Sequence, residues 1–146
     1  MPLREFSQHG NSMNLSLSFY IKAISCLSST HRILLRYLFF METRYRKGQI
    51  EGVFPSIARM AEKIANISDR GSCSIRTVKR FNKSVSGLLF IIIKRERPNK
   101  STTTNNYKMH DGLFAALCWL DRRNLLRAEK QQFLDIIKEA ERFESI

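Results

Sequence analysis

Apolar residues recur at helical spacing over the first third of the chain, which predicts two helices there. One covers residues 15–27, with apolar positions at Leu15, Phe19, Ala23 and Leu27. The next begins at Ser29 or Thr30, either of which offers the hydroxyl of a helix cap, and it runs to about Tyr45. Its apolar stripe is broad enough to predict a helix that is buried or shared with a neighbour: Ile33, Leu34, Leu35, Tyr37, Leu38, Phe39, Phe40 and Met41.

Two stretches around these helices lack such a period. Met1 to Asn14 mixes Pro, Gly, Ser, Gln and Asn, and it is predicted to be mobile. Gly48 to Gly52 is predicted to be a connecting loop, which leads into a short strand at Val53 and Phe54.

A pair of shorter helices is predicted next. The first begins at Pro55 and Ser56, with Ser56 as its cap. Glu62 and Lys63 are predicted to point outward. The apolar face of this helix holds Ile57, Met60, Ala61 and Ile64. The second runs from Ser74, its predicted cap, to about Val85, with Val78, Phe81 and Val85 on one face. The opposite face holds Arg76, Arg80 and Lys83, flanked by Thr77 and Lys79. The turn between the helices, residues 68–73, is longer than the usual three or four residues.

A β-hairpin with a basic tip is predicted after this pair. The β-branched and aromatic run from Phe90 to Ile93 predicts a buried strand. Pro, Asn and Ser in the following residues predict a turn, and Tyr107 to Met109 return as the partner strand. The turn region carries Lys94, Arg95, Arg97, Asn99 and Lys100.

The last segment is predicted to be helical and to bury a large apolar surface. Asp111 is the predicted cap of a helix with Leu113, Leu117 and Leu120 on one face. Polar residues 121–124 bend or break it. A second amphipathic stretch follows, formed by Leu125, Leu126, Phe133, Ile136, Ile137, Ala140 and Phe143. The predicted fold class is therefore mainly α with one small β-hairpin.

Several motifs, in this order, resemble the winged helix-turn-helix domains of phage and plasmid replication proteins and of bacterial transcription regulators. They are Phe-Pro-Ser at 54–56, Met-Ala-Glu-Lys-Ile at 60–64, Ser-Ile-Arg-Thr-Val-Lys-Arg at 74–80, Arg-Glu-Arg-Pro-Asn at 95–99 and Asn-Tyr at 106–107. The resemblance implies a winged domain over residues 29–110, with an N-terminal extension at 1–28 and a C-terminal helical segment at 111–146. It also implies binding of double-stranded DNA, in transcriptional regulation or replication initiation.

The resemblance and the charge pattern together predict the DNA-contacting residues. The recognition helix, about residues 74–86, would approach the DNA at Ser74 and read base edges through Arg76, Thr77, Lys79 and Arg80, with Lys83 on the same face. The basic wing, about residues 94–106, and the long turn would contact phosphates through Arg70, Lys94, Arg95 and Lys100. Arg97 and Asn99 of the wing are also predicted to bind DNA.

The charge distribution agrees with this interpretation. The chain has a formal net charge of +12. Between Arg70 and Lys100 there are nine basic residues and one acidic residue, whereas residues 111–146 carry six basic and seven acidic residues. Charge concentrated on one element is typical of a nucleic-acid-binding protein. An anionic membrane surface would instead favour a basic amphipathic helix with aromatic anchors, and no run of residues is long and apolar enough for a membrane span.

Catalytic, metal and disulfide chemistry is not indicated. The three widely spaced cysteines, Cys26, Cys73 and Cys118, argue against a disulfide framework or a zinc site and favour reduced thiols in the cytoplasm. The three histidines, His9, His31 and His110, are isolated, and no glycine-rich phosphate loop or nucleophile motif is present. We expect no enzymatic activity, no metal and no cofactor.

Three further interpretations remain open at this stage. The apolar N- and C-terminal helices could pair two copies as a homodimer over two half-sites, or they could simply pack within one chain. The winged domain could be a protein-interaction module whose apolar N- and C-terminal helices bind a replication or regulatory partner, with DNA contact secondary. RNA binding is disfavoured because no exposed sheet carries a platform of stacking aromatic residues.

Overall fold

Six α-helices and one antiparallel hairpin form the part of the chain that the computed structural model describes, residues 15–67, 75–96 and 103–145. The mainly helical fold class with a small hairpin is thus confirmed. The elements are α1 Leu17–Ser25, α2 Ser29–Arg46, α3 Ile57–Ile67, α4 Ile75–Val85, β1 Phe90–Glu96, β2 Thr103–Met109, α5 Asp111–Arg122 and α6 Phe133–Glu144, with a single 3-10 turn at Lys130–Gln132 before α6. The predictions for Met1 to Asn14 and for the turn at 68–73 lie outside the described residues.

Serine hydroxyls cap the N-termini of the first three helices. The backbone N–H of Phe19 donates to Oγ of Ser16 at 3.1 Å, and that of Arg59 donates to Oγ of Ser56 at 3.1 Å. The cap of α2 is Ser28, whose Oγ accepts from His31 N at 3.2 Å. The prediction of Ser29 or Thr30 was therefore wrong by one or two residues, because each of the three adjacent hydroxyls satisfies the same sequence pattern. Such a cap stabilises a helix by about 1 kcal/mol.

The start of α5 differs from the prediction in a similar way. His110 occupies the cap position, but its side chain forms no capping hydrogen bond to the helix, and Asp111 is the first helical residue. Its carboxylate forms an ion pair with Arg46 of α2, with 2.8 Å between the guanidinium nitrogen and the carboxylate oxygen. The negative charge still lies in the first turn, where the helix dipole favours it.

The burial of α2 is one-sided. Leu34, Leu35, Leu38 and Phe39 are buried, whereas Phe40, predicted to widen the apolar stripe, is 51% exposed. At 100° per residue, Phe40 points away from the side that Leu34 and Leu38 share. The prediction for Phe40 was therefore wrong.

The C-terminal segment breaks where the sequence predicted. Helix α5 ends at Arg122, and Asn124 adopts a left-handed backbone with φ of 58°. Asparagine tolerates this conformation better than most residues. Leu125 and Leu126, predicted to belong to the second amphipathic helix, lie in the connection before α6 instead.

The hairpin strands are longer and less buried than predicted. Lys94 and Arg95 belong to β1 rather than to the turn, and residues 103–106 belong to β2. Only Phe90 of the predicted buried run is buried; Ile91 is 50% exposed and Ile93 is 46% exposed. The prediction of a wholly buried strand was wrong, because successive side chains alternate between the two faces and one face of this hairpin is open.

The second edge of β2 is paired irregularly. The predicted strand at Val53 and Phe54 does not form, but the carbonyl of Val53 accepts a hydrogen bond from Tyr107 N at 2.8 Å. Further along the same edge, the carboxylate of Glu42 is hydrogen-bonded to the backbone of Met109. A loop carbonyl and a helix side chain therefore form hydrogen bonds with backbone groups of β2 that a third strand would otherwise pair.

The N-terminal helix packs against the C-terminal helices. Tyr20, Ile21, Ala23 and Ile24 of α1 are buried, and α1 contacts α5 and α6. Gly112 permits the approach of Tyr20, since a Cβ there would lie 2.3 Å from Cε2 of the tyrosine ring. Polar contacts join the same helices, including a bond of 2.5 Å from Ser18 N to Oε1 of Glu144. Helix α1 thus buries much of its apolar surface against α5 and α6.

Phe81→Ala is expected to lower the free energy of unfolding by about 3–5 kcal/mol, because it empties a fully buried ring site. The neighbouring substitution Lys83→Ala, on the exposed face of the same helix, should change it by less than about 0.5 kcal/mol. Urea denaturation followed by circular dichroism measures both. Equal effects of the two substitutions would contradict the described rotation of α4.

Candidate nucleic-acid interface

Helix α4 has one buried face and one basic face. Val78, Phe81 and Val85 are fully buried. Its exposed side chains include four cations: Arg76, Lys79, Arg80 and Lys83. Within the described part of the chain, none of the four forms an ion pair. No carboxylate among the described residues therefore neutralises their positive charge, and the four side chains face solvent.

Aromatic contacts fix the rotation of α4. The ring of Phe81 packs edge-on against His31 of α2, with centroids 5.5 Å apart, and against Phe90 of β1 at 6.4 Å. Phe90 in turn packs against Tyr107 of β2 at 6.1 Å. Such edge-to-face pairs are each worth about 0.5–1.5 kcal/mol beyond the area they bury. They hold α4 between α2 and the hairpin, so the basic face must point away from both.

His31 lies at the junction of α2 and α4. Its ring is half-buried and is hydrogen-bonded to the backbone of Thr77. Burial lowers the pKa of His31, and the positive charge of Arg80 lowers it further, although the bond to Thr77 acts in the opposite direction. Folding thus disfavours the protonated ring relative to the unfolded chain. His31 stands isolated in the sequence because its partners come from another helix.

A hydrogen bond ties the hairpin to α4. The hydroxyl of Tyr107 donates to Oδ1 of Asn82 at 2.9 Å. The connection between the elements turns at Gly87, whose φ of +87° lies in the left-handed region that glycine adopts readily. Gly87 N donates to the carbonyl of Phe90 at 2.7 Å, and Leu88 and Leu89 are buried beneath the turn. The boundary between α4 and β1 is therefore a tight turn anchored by two buried leucine side chains.

The hairpin brings one predicted cation to the side of α4. Phe90, Ile92 and Lys94 share one face of β1 because side chains alternate along a strand. Phe90 contacts Phe81, so Lys94 emerges on that same face further along the strand, where it is exposed. Arg95 is paired with Thr104 in the backbone register of the hairpin.

The remaining predicted contacts divide into two groups. Thr77 is half-buried on α4, and its backbone is bonded to His31, so it borders the basic face without belonging to it. The other predicted residues lie outside the described part of the chain: Arg70, Ser74, Arg97, Asn99 and Lys100. The structure therefore brings together the four α4 cations and Lys94 on neighbouring elements.

Comparisons of the chain with protein-family models, with curated proteins and with solved structures find no match. Within the described residues, no group of three His, Cys, Asp or Glu side chains is placed to hold a metal ion. No helix among them combines the length and the apolar character needed to cross a membrane. Function must therefore be inferred from the geometry of the chain's own residues.

Tyr107→Phe is expected to reduce the free energy of unfolding by about 1 kcal/mol, because it removes the hydrogen bond to Asn82. In a double-mutant cycle with Asn82→Ala, the two effects should be non-additive by at least about 0.5 kcal/mol. Chemical denaturation of the four proteins gives the coupling energy. A coupling of zero would mean that this bond does not join the hairpin to α4.

Acidification is expected to destabilise the protein through His31. Because the folded pKa lies below the unfolded one, the unfolded state binds the proton first, and stability falls as the pH drops below about 6.5. His31→Gln should remove this component, so its stability should fall less between pH 7 and pH 5 than that of the unchanged protein. Urea midpoints across this range test the difference. Replacing the exposed Lys130 by Gln is the control and should leave the pH dependence intact.

Proposed function

We propose that the protein binds double-stranded DNA as a winged helix-turn-helix, with α3 and α4 as the helix pair and β1–β2 as the wing. The observation that carries this proposal is the basic face of α4: four exposed cations without ion-pair partners in the described residues, opposite a fully buried apolar face. An exposed helix of this kind fits the major groove, and Arg side chains can read guanine there.

The chemistry of each cationic side chain indicates whether it would contact bases or phosphates. Arg76 and Arg80 are the proposed base readers, because a guanidinium can bind O6 and N7 of guanine together, worth about 1–3 kcal/mol of discrimination. Lys79 and Lys83 flank them and suit phosphate oxygens. Lys94 extends the positive surface onto the hairpin, where it would contact the backbone beside the groove.

The proposed process is transcriptional regulation or replication initiation at a phage or plasmid origin, in the cytoplasm. This part of the proposal is supported by the sequence motifs alone, since both kinds of process use the same reading surface. A homodimer through the terminal helices would place two reading helices on two half-sites. Its support is limited to the apolar side chains that those helices leave exposed, Leu134 at 64% and Phe143 at 53%.

A second candidate function is a protein-interaction module. The terminal helices, which the sequence favoured for this role, bury much of their apolar surface against each other. The outer face of the hairpin supports an interaction module better than the terminal helices do, because Ile91 and Ile93 lie side by side on an open strand face. In this case the cations of α4 would be dispensable for function.

The decisive experiment measures fluorescence anisotropy of a labelled random duplex against protein and salt concentration. The unchanged protein should bind with a log–log salt slope of several, at about 0.9 per phosphate contact. Arg76→Ala/Arg80→Ala should lower affinity at least about tenfold, which corresponds to about 1.4 kcal/mol. Lys130→Ala/Lys138→Ala removes the same charge from exposed positions elsewhere and should have a much smaller effect.

Two results would contradict DNA reading by α4. One is the absence of binding by the unchanged protein at low salt. The other is equal weakening by the α4 double variant and its charge-matched control, which would indicate attraction by net charge alone. Either result would favour the interaction module, for which Ile91→Lys/Ile93→Lys should then abolish partner binding while the fold is retained.

A further inference from the structure

A cavity lined by cations and aromatic rings lies between α2, α3 and the loop that joins them. Its volume is about 340 Å³, and Tyr37, Arg44, Phe54, Arg59 and Lys63 contribute to its wall. It lies apart from the exposed face of α4 and shares no lining residue with it. Neither DNA reading nor the packing of the core explains why these side chains surround an open volume.

The charge of the cavity has one sign. Arg44, Arg59 and Lys63 are exposed, and within the described residues none of them forms an ion pair. None of the described residues that line the cavity is acidic. Helix α3 begins next to the cavity wall, so its positive end adds to the same potential. Three cations that repel one another in a concave site favour an anion between them.

The apolar part of the wall points to the rest of the ligand. Tyr37 and Phe54 both line the cavity and are half-buried, so each residue keeps some accessible surface. The absence of a side chain at Gly52 lets Phe54 lie close to the chain, since a Cβ there would be 2.8 Å from Cε1 of the ring. Flat rings stack on such surfaces and exclude water from the neighbouring charges.

A second cavity provides a contrast. It lies between α2 and β2, has a volume of about 290 Å³, and is lined by two carboxylates, Glu42 and Glu51, and two cations, Arg46 and Lys108. Its charges balance, and Arg46 already pairs with Asp111. Only the first of these two cavities combines excess positive charge with accessible aromatic rings.

We propose that the cavity between α2 and α3 binds a small anionic aromatic compound, a flat ring that carries a phosphate or carboxylate group. The ring lies against Tyr37 and Phe54, and the anionic group is held by Arg59 and Lys63, which are four residues apart on one face of α3, with Arg44 opposite. A phosphate of the DNA backbone would use the cations but not the rings, which distinguishes the two kinds of occupant.

The test uses phenyl phosphate as the probe, with inorganic phosphate and phenol as its two halves. Titration of the intact protein, followed by two-dimensional amide NMR, should give saturable shifts around the cavity with phenyl phosphate. Each half should bind at least about tenfold more weakly, because it loses either the ring contact or the charge contact. No DNA is present, so the result is independent of the proposed DNA-binding function.

Three variants locate the site. Arg59→Gln/Lys63→Gln should weaken phenyl phosphate binding roughly tenfold, as expected for the loss of two exposed charge contacts. Gln at position 59 also suits the third position of a helix capped by Ser56, so α3 should be preserved. Phe54→Leu should weaken phenyl phosphate but leave inorganic phosphate unchanged. Lys130→Gln/Lys138→Gln, with the same loss of charge at exposed sites away from the cavity, should bind phenyl phosphate normally.

The proposal is overturned if phenyl phosphate and inorganic phosphate bind equally well, or if Arg59→Gln/Lys63→Gln or Phe54→Leu binds phenyl phosphate as the unchanged protein does. It is also overturned if phenyl phosphate does not bind. In that case a separate duplex titration compares Arg59→Gln/Lys63→Gln with Arg76→Ala/Arg80→Ala, and equal weakening by the two variants is the pattern to look for. That pattern would make the cavity wall a phosphate-backbone contact of the DNA interface instead.

Discussion

The burial of Phe81 between two other elements is the constraint on which the arrangement of the basic surface depends. Its ring contacts His31 of α2 on one side and Phe90 of β1 on the other. A helix residue has a fixed angle relative to its neighbours, so burying Phe81 with Val78 and Val85 sets the direction of every other side chain of α4. Arg76 and Arg80 therefore face solvent because Phe81, on the opposite side of the helix, is buried against α2 and β1.

The same core links the basic helix to the hairpin and to the chain ends. The hydroxyl of Tyr107 donates a hydrogen bond to Asn82 of α4. The backbone N–H of Tyr107 donates a second one to the carbonyl of Val53 in the loop before α3. At the other end of α2, the guanidinium of Arg46 pairs with Asp111 and lies over the ring of Phe114, 4.1 Å from its centroid. Helix α2 is thus the element that contacts both the basic helix and the C-terminal segment.

Two positively charged surfaces arise from different constraints and favour different ligands. The exposed face of α4 is convex and carries four cations and no aromatic ring, which suits the extended phosphate surface and base edges of a duplex. The cavity beside α3 is concave and joins Arg59 and Lys63 to the rings of Tyr37 and Phe54. A small ring with one anionic group uses both kinds of contact at once, whereas a duplex uses only the charges.

The sequence alone determined the elements whose patterns are local: the amphipathic α4, the Ser56 cap, the return strand at Tyr107 and the break before Asn124. These follow from periodicity and capping, which depend only on near neighbours in the chain. Tertiary structure decided which face of β1 is covered, so Ile91 and Ile93 are exposed despite their apolar character. It also decided the partners of His31 and the cavity at Arg59, because these contacts join residues far apart in sequence, which no local pattern specifies.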